Sequence, residues 1–181
     1  MHKAIYLLAG LTIFATTQSL ADDQYVELDA GAVTMSNADL MPNTSSLRLA
    51  YGAKKNSIVG FVKGEVDVIS FGDSSYSSAS SSVSISRYAV RAAYILGFPV
   101  SNDFSITGKL GVTMNHVGAS GINTNADANS FDVIYGAGVA YEASRKITFN
   151  AGWESMGQFK AVSFAPGSSL NQISAGIAYN F

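Results

Sequence analysis

Eight segments of the chain alternate apolar and polar side chains with a period of two residues, and this pattern limits the folds open to it. The segments lie at residues 24–36, 46–54, 57–71, 84–98, 104–117, 131–142, 146–156 and 171–181. Successive side chains of a β-strand point to opposite faces, so each segment is predicted to be a strand with one apolar and one polar side. The scarcity of proline and the many Gly, Ser, Val and aromatic residues agree with an all-β fold.

Short and long connections alternate between these segments. The short ones lie near residues 55–56, 99–103 and 143–145. The long ones, rich in Ser, Asn and Gly, lie at residues 37–45, 72–83, 118–130 and 157–170. This rhythm predicts an eight-stranded antiparallel up-and-down barrel with its long loops at one end, as in bacterial outer membranes, where the periplasmic turns are short. Each segment can supply the roughly nine to eleven residues that a strand needs to cross a bilayer.

The charged residues of each segment keep to one face. They are Glu27, Asp29, Arg48, Lys63, Glu65, Asp67, Arg87, Arg91, Lys109, Asp132, Glu142 and Glu154. No charge falls on the opposite face within the predicted segments, and a cation at the lipid-facing midplane of a barrel costs about 2–4 kcal/mol. The apolar face is therefore predicted to meet outer-membrane lipids, and the charged face to line the lumen.

The lumen of an eight-stranded barrel is narrow, and its side chains fill it. Unpaired charges are costly in such an interior, so we predict a salt-bridged network that plugs the barrel. A gated ion path, as in a small porin-like channel, is the alternative. The exact pairs depend on the stagger of the strands, which the sequence does not give.

Seven aromatic residues of the apolar face collect at the strand ends that are predicted to be periplasmic. They are Tyr51, Phe98, Phe104, Tyr141, Phe149, Tyr179 and Phe181. Amphipathic rings concentrate at the headgroup level of membranes, so these residues are predicted to form a periplasmic girdle. The alternative is a soluble periplasmic barrel in which the same rings belong to an apolar core.

The N-terminus has the pattern of a secretory signal peptide. Lys3 precedes an apolar run at residues 4–14, and Ser19 and Ala21 are the small residues before a cleavage site. We predict that residues 1–21 are removed and that residues 22–181 form one barrel domain. The chain has no Cys for a lipid anchor or a disulfide, no basic stripe for nucleic acid, and no predicted metal or cofactor site.

Three phrases carry a resemblance to a known family: LRLAYG at residues 47–52, YGAGVAY at residues 135–141 and IAYNF at residues 177–181. They resemble the small outer-membrane barrels typified by the OmpA transmembrane domain and OmpX. The resemblance implies an outer-membrane location, periplasmic termini, and a last strand, ending at Phe181, that the barrel-assembly machinery recognises. It also implies a structural or surface role, such as membrane integrity or adhesion, with a surface ligand at the outer loops.

A lipid A-modifying enzyme is a further alternative. The barrels of this size that modify lipid A need a His and a Ser on the lipid-facing side near the outer rim. His116 is predicted to lie there, with Ser155 at a comparable level and Ser120 in a nearby loop. The sequence offers no clear acid to orient the imidazole, as a catalytic triad requires, so we predict no enzymatic activity.

Overall fold

The protein is an eight-stranded antiparallel barrel, as the alternation of its side chains predicts. The computed structural model describes residues 21–36, 44–78, 81–121, 124–159 and 168–181, so the predicted signal peptide falls outside the described residues except for Ala21. Each strand pairs with the next, and β8 pairs with β1 to close the barrel. The strands are β1 (Asp23–Met35), β2 (Thr44–Ser57), β3 (Gly60–Ser78), β4 (Ser81–Pro99), β5 (Phe104–Gly121), β6 (Thr124–Glu142), β7 (Ile147–Phe159) and β8 (Ser168–Asn180).

The strand register sets the tilt of the barrel. A path that starts at Asp23 and passes to the paired residue of each following strand returns to β1 at Val33, ten residues farther along. The intermediate partners are Lys54, Lys63, Ile95, Lys109, Gly136, Glu154 and Gln172. A stagger of this size across eight strands tilts them by roughly 40° from the barrel axis.

The four central strands are longer than the others, which corrects two of the predicted loops. β3 continues to Ser78 and β4 begins at Ser81, so most of the predicted loop at 72–83 is strand. β5 continues to Gly121 and β6 begins at Thr124, which overturns the predicted loop at 118–130 in the same way. Serine and asparagine favour turns, but here cross-strand pairing satisfies the backbone and overrides that preference. The other two predicted loops lie largely outside the described residues.

The first short turn also differs from its prediction. Lys55 and Asn56, predicted to form it, belong to β2, and the turn is made by Ile58 and Val59. Asp22 explains why the polar pair is held in a strand. Its carboxylate accepts the Asn56 backbone N–H at 2.8 Å and lies 3.1 Å from the Lys55 ammonium. The Asn56 hydrogen bond, followed by Lys55, lowers the pKa of Asp22.

The two faces of the sheet differ sharply in chemistry. Large apolar side chains are exposed on the exterior, among them Leu28, Leu47, Leu49, Val68, Ile106, Leu110, Val133 and Ile173. No helix among the described residues is long and apolar enough to cross a membrane. The charged side chains that the sequence analysis assigned to the other face point into the barrel, and most of them are buried.

The end of the barrel that carries Asp22, Phe181 and the short turns is called the turn end below, and the opposite end is the loop end. Towards the loop end, buried apolar side chains form a cluster in the interior. This apolar plug consists of Val33, Met35, Ile69, Phe71, Ile85, Ala89, Ala93, Val117, Ile134, Met156 and Leu170. The sequence analysis missed it, because these residues share the parity of the charged ones, and alternation alone assigns both kinds to the same face. The charged network lies between this plug and the turn end.

Candidate functional site

Arg48 is the centre of the charged network inside the barrel. It lies on β2, between two strands that each supply two acids: Glu27 and Asp29 on β1, and Glu65 and Asp67 on β3. The guanidinium contacts Glu27, lies 2.7 Å from both Asp29 and Glu65, and lies 3.4 Å from Asp67. Only 5% of the Arg48 side chain is exposed. One cation therefore holds four carboxylates from both neighbouring strands.

Two further cations extend the network across the barrel. Arg91 on β4 binds Asp67 through two hydrogen bonds of 2.6 and 3.1 Å and donates a third, of 2.7 Å, to Glu154 on β7. Lys109 on β5 lies 2.7 Å from Glu65 and 2.6 Å from Glu154. Three cations and five carboxylates thus form one connected set that joins strands on opposite sides of the interior. Such links resist separation of the strands.

Lys63 is held differently. Its ammonium lies 4.8 Å from the ring centroid of Tyr25 and 5.3 Å from that of Phe61, within the range of cation–π attraction. The Tyr25 hydroxyl donates a 2.9 Å hydrogen bond to Glu65, which ties this aromatic layer to the network. Tyr25 and Phe61 were not singled out from the sequence, although their parity with Glu27 and Glu65 was the signal that could have found them.

Two of the predicted interior acids lie apart from the network. Glu142 stands at the turn end, where its carboxylate lies 2.6 Å from the ammonium of Lys54, a base that the sequence analysis did not include. Asp132 stands nearer the loop end and accepts the backbone N–H of Gln158 at 3.3 Å. Both are only partly buried, and neither contacts the Arg48 cluster.

Arg87 enters the apolar plug rather than the network. One of its terminal nitrogens donates to the Gly72 carbonyl at 3.2 Å, and the other contacts the Met35 sulfur at 3.4 Å. Its 2% exposure shows how closely the plug surrounds it. The predicted charged residues therefore divide into four groups: the central network, Lys63 against its two rings, Glu142 at the turn end, and Arg87 and Asp132 towards the loop end.

A cavity of about 60 Å³ lies beside the network. Glu27, Asp29, Asn150 and Ser174 contribute to its wall, and the Asn150 side-chain amide donates to Glu27 at 2.9 Å. A cavity of this size and polarity accommodates a few water molecules. Among the described residues, no group of three or more His, Cys, Asp or Glu side chains is placed to share a metal ion.

The seven residues predicted to form a periplasmic girdle all point outwards. Six of them lie at the turn end, whereas Tyr51 lies in the middle of β2, seven residues before the turn. The Phe104 and Tyr141 rings lie 4.8 Å apart between centroids, and Tyr179 and Phe181 stack at 6.5 Å. Tyr51 is partly covered, and its hydroxyl donates to Gln24. Phe98 and Phe149 are about half exposed, as are Phe104, Tyr141, Tyr179 and Phe181. Their placement at a membrane boundary stays a prediction.

The structure does not bring together the residues of the enzyme site that was the alternative to the prediction of no enzymatic activity. His116 points outwards near the loop end, stacks on Tyr88 and lies 2.9 Å from the side-chain oxygen of Asn129. Asp127 lies 3.9 Å from its other ring nitrogen, too far for a hydrogen bond.

The two candidate nucleophiles lie far from this imidazole. Ser155 is in register with Tyr135 and, through it, with Leu110, six residues along β5 from His116. At about 3.3 Å per residue this offset along the strand places Ser155 roughly 20 Å from His116. Ser120 lies four residues beyond His116 on the same strand, roughly 13 Å away. Neither serine can share a proton with His116 in this arrangement.

The family described as the outer membrane protein beta-barrel domain matches residues 5–181 of this chain. Neisserial surface protein A has a similar structure, with a TM-score of 0.68 and 19% identity over 87% of this chain and 97% of that one. Ail of Yersinia pestis, in complex with the heparin analogue sucrose octasulfate, has a TM-score of 0.59 and 17% identity over 88% and 97%. The N-terminal barrel of Pseudomonas aeruginosa OprF has a TM-score of 0.58 and 10% identity over 87% and 97%. Identities this low show a shared fold. A comparison with curated proteins gave no match.

Proposed function

Since this chain belongs to the outer membrane protein beta-barrel domain family, we propose that it is a closed barrel that acts at the cell surface through its loop end. The turn end then faces the periplasm, and outer-membrane lipids surround the apolar exterior. The observation that carries the proposal is that the two ends of the barrel differ in structure along its axis. The interior is filled, and the strands β3 to β6 continue beyond the rest of the barrel.

Two layers close the interior. The network around Arg48 spans the middle, and Arg91 and Glu154 cross-link it to the far wall. Above it, the buried side chains of the apolar plug pack into the interior together with polar ones such as Arg87 and Asn115, and transfer of an ion among apolar side chains is costly. These layers favour a plug over a gated ion path.

The purified protein is expected to give no stable open level in planar lipid bilayers, because both layers would have to separate before an ion could pass. Single-channel recording checks this, with a general porin as the positive control in the same lipid. Reproducible conductance steps well above the leak, seen in independent preparations, would favour the small-channel alternative.

The continuation of β3 to β6 forms the surface that we assign to contacts. The last pair between β2 and β3 at the loop end is Ser46 with Phe71, whereas β3 stays paired with β4 as far as Ser78. Seven further residues extend the sheet by about 20 Å along the strand. This segment is rich in serine and carries no charge beyond Asp73. Such a continuation of the sheet offers extended backbone to a partner, and Ail, which has the same fold, is named for attachment and invasion.

Shortening this hairpin is expected to abolish surface contact without unfolding the barrel. Residues 76–83 would be replaced by Asn-Gly, which joins the paired residues Ser75 and Ser84 by a two-residue turn. Attachment of bacteria to cultured epithelial cells should fall to the level of a deletion strain. Heat-modifiable gel mobility controls for folding. Equal attachment by bacteria that carry the shortened or the full-length protein contradicts the contact role. If both proteins also restore the resistance of the deletion strain's cells to detergent, a role in membrane integrity is favoured instead.

The proposal also covers assembly and catalysis. We assign β8, together with Phe181 directly after it, to recognition by the barrel-assembly machinery, supported by the exposed stack of Tyr179 and Phe181 at the turn end. We assign no enzymatic activity, supported by the separation of His116 from Ser155 along the sheet.

A further inference from the structure

Two aliphatic residues form the tip of the turn between β2 and β3. Ile58 is fully exposed and Val59 is 70% exposed, although Asn, Gly and Asp are the residues that suit two-residue hairpin turns. The polar residues Lys55 and Asn56, which would suit a turn, lie in the strand just before it. The turn thus carries aliphatic residues where polar residues or glycine would be expected, and these aliphatic residues form an exposed apolar tip.

The tip is held in a fixed position. Gly60, directly after Val59, has a φ of 149°, and a Cβ at this position would collide with the Gly97 carbonyl and lie 3.4 Å from Pro99. Because only glycine allows this approach, the turn rests against the end of β4. On the other side, Asp22 binds the Asn56 backbone N–H. The exposed side chains are therefore presented by a braced hairpin.

The tip continues the apolar wall of the barrel. On β4 and just beyond it, the outward residues Tyr94, Leu96, Phe98 and Val100 are all exposed and apolar, with no polar residue between them on that face. Pro99, which directly precedes Val100, lies beside Gly60 of the tip's turn, so the wall passes into the turns without a break. The turn between β6 and β7 differs, since residues 143–146 read Ala-Ser-Arg-Lys and are exposed.

The depth of the tip suits the boundary of a bilayer. Phe61 pairs with Gly97, so Ile58 lies about two residues, or roughly 7 Å along the strand, beyond the level of Phe98. The headgroup layer on each side of a bilayer is about 5–7 Å thick. If Phe98 marks the edge of the hydrocarbon, the tip falls within that layer.

We propose that Ile58 and Val59, together with Val100, insert into the periplasmic leaflet of the outer membrane. The apolar band then reaches lower on the side of β2 to β5 than on the side of β6 and β7. The lipid that meets the barrel there must accommodate a taller wall, which is a local hydrophobic mismatch. The inference rests on the membrane placement given under the proposed function, and its test separates the two.

Tryptophan fluorescence can measure the position of the tip, because the chain has a single Trp. Ile58→Trp and Arg145→Trp would each be made in a Trp153→Phe background and reconstituted into phosphatidylcholine vesicles with plain or brominated acyl chains. Arg145 is the matched control, since it lies exposed in the polar turn between β6 and β7. Any preference of the Trp ring itself for the interface acts equally in both variants.

The tryptophan at position 58 is expected to emit at shorter wavelength, to lose at least half of its emission to brominated lipid and to resist aqueous iodide. The one at position 145 should show the opposite pattern. Equal iodide quenching at both positions would overturn the proposal and place the tip in the periplasm. Unmutated Trp153, on the exterior wall, reports membrane placement independently. If brominated lipid fails to quench Trp153, the proposed function fails as well; if it quenches Trp153 alone, only the inserted tip is wrong.

Discussion

The Arg48→Leu variant is expected to lose most of the stability of the folded barrel. Its guanidinium is the shared partner of four carboxylates, Glu27, Asp29, Glu65 and Asp67, which would be left buried beside one another. Removal of one partner of a buried ion pair costs about 3–5 kcal/mol, and here several contacts end at once. Typical domains are stable by only about 5–15 kcal/mol. Urea unfolding in detergent micelles, followed by Trp153 fluorescence, measures the loss.

Two further variants make this test specific. Arg145→Leu removes a charge of the same kind from an exposed turn and should change the free energy of unfolding by no more than about 0.5 kcal/mol. Arg48→Lys keeps the charge but lacks the planar fork that reaches several carboxylates, so an intermediate loss is expected. Similar unfolding midpoints for Arg48→Leu and Arg145→Leu would show that the network does not hold the barrel together.

The Gly176→Ala variant is expected to destabilise the barrel through a single methyl group. A Cβ at this position on β8 would collide with the carboxylate of Asp29 and lie 2.6 Å from the Leu28 carbonyl. Asp29 cannot move aside freely, because Arg48 holds it at 2.7 Å. Overpacking of this kind costs about 1–3 kcal/mol. The same unfolding measurement in detergent gives the value.

Gly108→Ala is the matched control, since the substitution is identical but a Cβ there meets no atom within 4 Å. Glycine inside a strand costs about 0.5–1 kcal/mol relative to alanine, so this variant should be unchanged or slightly more stable. Equal losses at the two positions would mean that general strand effects, rather than the contact with Asp29, decide the outcome.

The parity of the side chains correctly predicted which residues point into the barrel, but it did not predict how they are arranged along the barrel axis. Glu65 and Asp67 share a face with Ile69 and Phe71, and parity cannot tell a charged layer from an apolar one along the same strand. The sequence analysis therefore placed charges in the barrel but missed the apolar plug above them. To separate the two layers, the position of each residue along the barrel axis was needed, and this position depends on where each strand begins and how far it is staggered.

Local composition misjudged the strand ends for a related reason. The serine-rich stretch near residue 78 reads as a loop, yet its backbone continues the ladder of β3 and β4. The pair Lys55 and Asn56 reads as a turn, yet Asp22 holds it in β2. In both cases pairing with another segment satisfies groups that would otherwise favour a turn: the next strand of the hairpin in the first case, and Asp22 in the second.

The sequence by itself determined that the chain makes eight strands, which residues share a face, and that the charge-free face is the apolar one, because a period of two acts within each strand. Only the tertiary structure decided which charges meet. Arg48 reaches acids from both neighbouring strands, and Glu154 reaches Arg91 and Lys109 across the interior. Those encounters depend on the ten-residue stagger at closure, a property that all eight strands set together and no single segment carries.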